Sequence, residues 1–245
     1  MKRPVSILLV LCLLLLNLLG CGGRGETEEA VIKIGVFEPD SGDYGPGGKQ
    51  ETLGIQYANS IKDHVTISGV TYRLQLMIVN NQSDEEKAVT TANRLVSAGV
   101  SVVLGSCGSS ISEAASSIFS EAGIPMIACS CSLPSLTQDN DFVFRVGFLD
   151  SLQAEAIANY ALGRGAQTVY VLTQTDDADS ISLGEQFSEQ FNALGGTVIA
   201  ASCSARTTGY SSYLNSAAQS GADLVFAPAS PAVAEKIIRQ AAGRH

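Results

Sequence analysis

Strand-like and helix-like segments alternate from residue 31 to residue 242 with a regularity that sets the fold class. Val31–Phe37 (VIKIGVF) reads as a buried strand, Gly48–Lys62 is helix-compatible, and Tyr72–Val79 (YRLQLMIV) reads as the next strand. Ser83-Asp84-Glu85-Glu86 opens a helix running to about Ala98, with its acids in the first turn, where the helix dipole favours them. Val100–Leu104 is a short β-branched run, Ser110–Glu121 a helix, and Pro125–Ala128 a strand again. Strands separated by such helices make βαβ units and a parallel sheet, so the class is α/β.

The pattern pauses in the polar connection SLPSLTQDND, and Phe142–Val146 follows as a short extended piece. Asp150 is placed as an N-cap, with Gln153 completing a capping box. A second series then runs: helix to about Leu162, strand Thr168–Thr173, helix Gly184–Ala193, strand Thr197–Ala201, helix Ser211–Ser220, strand Leu224–Ala227 and helix Pro231–Ala242. Two series imply two lobes, 31–146 and 147–245. The second is thin, and the natural chain is expected to be longer.

The N-terminus is set apart from this body. Lys2 and Arg3 precede the apolar stretch Val5–Leu19, which has the form of a signal peptide over residues 1–20. That stretch is about 15 residues, and spanning a bilayer takes roughly 20. Leu18-Leu19-Gly20-Cys21 resembles a bacterial lipobox, which would make Cys21 the lipidated first residue; the alternative is an ordinary signal peptide with a chance cysteine. Residues 21–30, polar and glycine-rich, read as a flexible tether, so the mature protein is expected outside the cytoplasm, anchored to a bacterial membrane. A net charge of −9 with no basic patch argues against a nucleic-acid partner.

Two small-residue clusters, GSCGSS at 105–110 and ACSCS at 128–132, stand at strand ends. In open parallel sheets ligands bind beyond the carboxyl ends of strands, and the right-handed crossover makes these two strands neighbours. Small residues let a ligand approach the backbone, and Ser109-Ser110 opens a helix whose N-terminus favours an anion. The clusters could hold a carboxylate; the bland alternative is that glycine and serine simply form turns and caps.

Other chemistry is weaker. Cys107, Cys129, Cys131 and Cys203 allow three full disulfide pairings, Cys107 with Cys129 or Cys131 being plausible, or they pack as buried thiols. A zinc site is disfavoured by their spacing and by the lack of a nearby histidine, and no metal or cofactor is expected. Catalysis is disfavoured too: His64 is placed at a helix end, His245 at the terminus, and neither cluster contains G-x-S-x-G or a phosphate-loop ending. Asp176, Asp177 and Asp179 read as a solvated turn rather than a calcium loop, and Asn81-Gln82-Ser83 as a loop rather than a glycan acceptor.

Several segments resemble one family in order along the body. IKIGVFEPDSGDYG at 32–45, KAVTTANRLV at 87–96, VVLGSCGSS at 102–110, GIPMIACSCSLPSLT at 123–137 and FRVGFLDSLQ at 144–153 are similar to the leucine/isoleucine/valine-binding proteins of ATP-driven amino-acid importers. The resemblance implies a two-lobed type I periplasmic-binding-protein fold that closes over a small ligand. It implies a carboxylate grip at Ser109 in the first loop and at Ser130, Cys131 and Ser132 in the second, with Tyr44 bordering the ligand and Cys107 and Ser110 flanking Ser109. It also implies ABC permease subunits as partners, a sensory module of the same fold being the alternative. In the second lobe, Ile181 or Ser182 falls where the family places an aromatic residue, and the acid that pairs with the ligand's amine is expected beyond His245.

Overall fold

In the computed structural model, which describes residues 29–242, the alternation resolves into two sheets. The first contains β1 (Val31–Glu38), β2 (His64–Ile67), β3 (Val70–Asn80), β4 (Val102–Leu104), β5 (Met126–Ala128) and β6 (Val143–Arg145) in the order β2-β3-β1-β4-β5-β6. The second contains β7 (Thr168–Gln174), β8 (Thr197–Cys203) and β9 (Leu224–Phe226) in the order β8-β7-β9. All neighbours run parallel except β2, which pairs antiparallel with β3. The helices are α1 (Gly45–Ile61), α2 (Glu85–Ser97), α3 (Ser109–Glu121), α4 (Asp150–Gly163), α5 (Ala178–Ala193), α6 (Ser211–Gln219) and α7 (Pro231–Ala242). The signal peptide, Cys21 and His245 lie outside the described residues.

Three local readings need correction. His64 begins β2 rather than ending a helix: Ser68 and Gly69 both take positive φ, 51° and 83°, as a two-residue hairpin turn requires. Helix α5 begins at Ala178, six residues ahead of the expected Gly184, because the Asp177 side chain accepts from the Ser180 N–H and caps it. Asp150, by contrast, caps nothing: α4 begins at Asp150 itself, its N-cap position is Leu149, and Asp150 is 1% exposed.

Five of the seven helices among the described residues stop by a shared device. After α3, Gly123 at φ 68° donates to Ser120 O and Ile124 donates to Phe119 O at 2.9 Å, which satisfies carbonyls that the helix end leaves orphaned. The same pair of bonds follows α2, α4, α5 and α6 at Gly99, Gly165, Gly195 and Gly221. Each stop delivers the chain directly into the next strand.

The core of the first sheet lies between its strands and helices α2 and α3. Phe37 meets Phe119 edge to face at 5.7 Å, both fully buried with Leu95, Val103 and Met126. Under the second sheet, Phe187 stacks on Phe191 at 5.4 Å and tilts against Phe226 at 4.4 Å. The connector after β5 forms a short 3-10 turn, Pro134–Thr137, held by Arg145 of β6. Its guanidinium donates to Leu133 O at 2.6 Å, Thr137 Oγ1 at 2.8 Å and Cys131 O at 3.3 Å. All four described cysteines are free thiols. Asn81 is fully buried and donates to Ser106 Oγ at 2.8 Å, so it braces the first loop and has no access for a glycan. Among the described residues no helix is long and apolar enough to cross a membrane.

Removing the buried Phe119 ring leaves a cavity and forfeits the contact with Phe37. Phe119→Ala is expected to lower unfolding stability by about 3–5 kcal/mol, read as a shift of the urea midpoint at unchanged slope.

Candidate functional site

Parallel pairing of β1, β4 and β5 brings their carboxyl ends to one edge, with Val36 opposite Leu104 and Leu104 opposite Ile127. The loop after β4 must pass close to the loop after β1. Gly108, at φ 93°, allows this: a Cβ there would stand 2.9 Å from the Tyr44 ring. Helix α3 starts at the next residue, fully buried Ser109.

Ser109 joins the two loops. Its Oγ accepts from the Ser132 N–H at 3.3 Å, while its own N–H donates to Asp179 Oδ2 at 3.3 Å. Tyr44, at the start of α1, donates its phenolic O–H to Asp177 Oδ2 at 3.2 Å. Asp177 Oδ1 accepts from the Ser180 N–H at 2.9 Å, so one carboxylate serves its own helix and the opposite sheet's loop. Behind it, Ser180 Oγ donates to Pro228 O, and Gln174 Oε1 accepts from Ser230 N–H and Oγ at 3.1 and 3.0 Å.

These groups surround a cavity of about 380 Å³. One wall is Tyr44, Cys107, Gly108, Ser130 and Ser132; the other is Asp150, Gln153, Asp177, Asp179, Ser180, Leu183 and residues 227–231. Within this lining the only formal charges are three carboxylates. Asp150 Oδ2 and Asp179 Oδ1 are buried without a hydrogen-bond partner. Burial pushes the Asp179 pKa up, against hydrogen bonds from Ser109 that pull it down. Burial, then the charges of Asp177 and Asp179, keep the Tyr44 phenol protonated. The cavity therefore combines backbone and hydroxyl donors on one side with acids short of donors on the other.

The expected site residues divide. Tyr44, Cys107, Ser130 and Ser132 line the cavity; Ser109 does not, being fully buried, but it accepts from the Ser132 N–H. Ser110 faces an adjoining recess of about 350 Å³ beside Asp43, Glu86 and Asp176, which shares Tyr44, Asp177 and Ser230 with the cavity. Cys131 turns the other way: it is 1% exposed, packs in the core, and its thiol contacts Ser106 O at 3.0 Å and Ser112 Oγ at 3.1 Å. The Asp176–Asp179 stretch is no solvated turn, since Asp177 is 5% exposed and Asp176 accepts from the Ala205 N–H at 3.0 Å. Asp177, Asp179 and Leu183, rather than Ile181 or Ser182, face the cavity. Asp150, Asp177 and Asp179 escaped sequence reasoning as site residues; the one signal for them was an aspartate at the right spacing to cap α5.

Burial pushes the Cys107 and Cys131 thiols up to about 12, so neither is a thiolate at neutral pH. His64 sits in β2, at the outer edge of the first sheet.

Comparison with known proteins follows the same lines. Residues 31–244 match the family described as periplasmic binding protein, and the chain belongs to that family. It is 32% identical over 133 residues to the Leu/Ile/Val-binding protein of Escherichia coli K12, a match covering 54% of this chain and 36% of that protein. The chain thus spans little more than a third of that curated relative. The crystal structure of a leucine-binding protein from Thermotoga maritima superposes with a TM-score of 0.75 at 29% identity, over 80% of this chain and 56% of the other. A branched-chain amino acid transporter substrate-binding protein of Streptococcus pneumoniae, solved with isoleucine, gives 0.78 at 26% identity, over 87% and 61%.

The raised Asp179 pKa fixes the sign of a pH effect. Above the ordinary value of 3.8 the unfolded chain ionises this group more readily than the folded one, so its contribution to stability falls as pH rises. Asp179→Asn is expected to raise the melting temperature at pH 7 and to lose that advantage as pH drops below 3.8, checked by calorimetry across pH.

Proposed function

We propose that this chain is the extracytoplasmic substrate-binding component of an ATP-driven importer, lipid-anchored at Cys21, with lobes at 31–146 and 147–245 that close over an amino acid. The observation that carries the reading is the bipolar cavity. Ser109 at the start of α3 donates its N–H to Asp179, Ser130 and Ser132 bring hydroxyls from the loop after β5, and Asp150 and Asp179, which line the same cavity, each keep a carboxylate oxygen without a donor. A zwitterion matches both ends. Its carboxylate takes the Ser109 N–H and the Ser130 and Ser132 groups in place of Asp179, and its ammonium supplies the donors that the acids lack.

Such pairing is needed, since a charge buried without hydrogen bonds is costly. Each charge-assisted bond contributes roughly 1.5–3 kcal/mol, so a few of them fix the ligand's orientation. Leu183 and residues 227–231 leave an apolar wall for a small side chain. The names of the relatives support a branched-chain amino acid as the ligand. In this reading Tyr44 and Asp177 act at the lobe boundary, where ligand shifts the population between open and closed forms. The chain passes its ligand to membrane permease subunits and catalyses no reaction.

A thermal-shift screen of the mature protein against amino acids, amides, urea and aromatic acids tests the proposal. A ligand at about 100 times its Kd should add about 2.7 kcal/mol of stability, and leucine, isoleucine or valine should be among the hits. The double variant Ser109→Ala with Ser132→Ala should weaken any hit at least ~10-fold, as expected for loss of about 1.4 kcal/mol. No shift with any amino acid, or an unchanged shift in the double variant, overturns the assignment. Separately, Cys21→Ala is expected to release the protein from the membrane fraction.

A further inference from the structure

Behind the loop that carries Ser109, three side chains converge that the cavity does not use. Glu38 ends β1, Glu51 lies in the second turn of α1, and Cys129 follows β5 directly. One potential ligand atom from each lies within 4.8 Å of the other two. Glu38 is 2% exposed; its Oε2 accepts from the Cys107 N–H at 2.7 Å, and its Oε1 has no hydrogen-bond partner. Glu51 Oε2 is likewise buried and unpartnered. Two carboxylates so placed repel one another, and only a cation or a proton between them relieves the strain. Glu38 also borders a recess of about 470 Å³ beside Lys49, Thr52 and Gln56.

We propose that Glu38, Glu51 and Cys129 form a binding site for a divalent transition-metal ion of the zinc type. The ligand set selects the class, because a thiolate beside carboxylates suits borderline-soft zinc and not calcium or magnesium, which take oxygen alone. Zinc bonds of about 2.3 Å to sulfur and 2.0–2.2 Å to oxygen set tetrahedral edges of about 3.6 Å. From separations of at most 4.8 Å, the donors close by little more than an ångström at most on binding. Burial, then the charges of Glu38 and Glu51, hold the Cys129 thiol protonated without metal. Binding forms the metal–sulfur bond and releases that proton to solvent, with any proton held between the carboxyls, and no oxidation state changes. Since Glu38 holds the Cys107 N–H, the ion would stiffen the loop leading to Ser109.

The test uses the full mature chain, stripped with chelator and titrated with Co²⁺ alone. The expected result is a thiolate-to-cobalt charge-transfer band that saturates at one ion per chain, is displaced by Zn²⁺, and accompanies a rise in melting temperature. Cys129→Ser should abolish the band, Cys203→Ser should keep it, and Glu51→Gln should weaken affinity at least ~10-fold. Absence of the band in the natural chain, or its persistence in Cys129→Ser, overturns the site. If Glu38→Gln stabilises the chain at neutral pH while neither ion binds, the cluster holds a shared proton and the proposal also fails. None of these readouts depends on the amino-acid assignment.

Discussion

Parallel pairing of β1, β4 and β5 is the constraint on which the rest depends. It forces three strand ends to finish at one edge, where the chain must turn, begin a helix and leave room between neighbouring loops. Bulky residues cannot satisfy those demands together. Gly108 lies against the Tyr44 ring, Ser109 serves both as the first residue of α3 and as acceptor for the Ser132 N–H, and Asn81 reaches across from β3 to brace Ser106. The smallness of these loops is thus a packing requirement first. In the reading proposed above, the ability to receive a ligand follows from that smallness, which lets a ligand approach the backbone.

The opposing wall is governed by an electrostatic shortage. Asp150, Asp177 and Asp179 line one cavity whose other lining side chains are all uncharged, and the available N–H and O–H groups are divided among them. Asp177 is satisfied on both oxygens, by Ser180 and by Tyr44, whereas Asp150 and Asp179 each keep a buried oxygen without a donor. The contacts between the two sheets at the cavity are therefore uneven. Tyr44 with Asp177 is complete in itself, whereas Asp179, bonded to the Ser109 N–H through one oxygen, keeps the other without a donor.

The sequence carried most of the architecture because parallel βα units write it locally, as apolar runs, acidic first turns and glycine stops. It failed where a short element had little signal. His64–Ile67 is four residues long, and its Ser-Gly turn lacks the asparagine or aspartate that marks such hairpins most strongly. The start of α5 was hidden because its polar first turn resembles a loop until Asp177 is seen to cap it. Cys131 shows a different limit. Side chains in extended backbone alternate, so Ser130 and Ser132 at the cavity imply that Cys131 points away, a fact present in the spacing yet decided only by which face is the core. Asp179 meets Ser109 and Asp177 meets Tyr44 across sequence separations of 70 and 133 residues, and nothing local announces that.

The repeated helix stops have an implication for how such a protein diversifies. Gly99, Gly123, Gly165, Gly195 and Gly221 end their helices with the same backbone bonds, and none has a neighbour within reach of the methyl group that alanine would add. The amino-terminal edge of each sheet is thus standardised and indifferent to its surroundings. Each βα turn at the opposite edge is individual in length, in capping residue and in what it touches. Drift in the ligand-facing loops can proceed without renegotiating how the chain enters its strands, so new binding chemistry is reachable by small changes at one edge while the other keeps the frame in register.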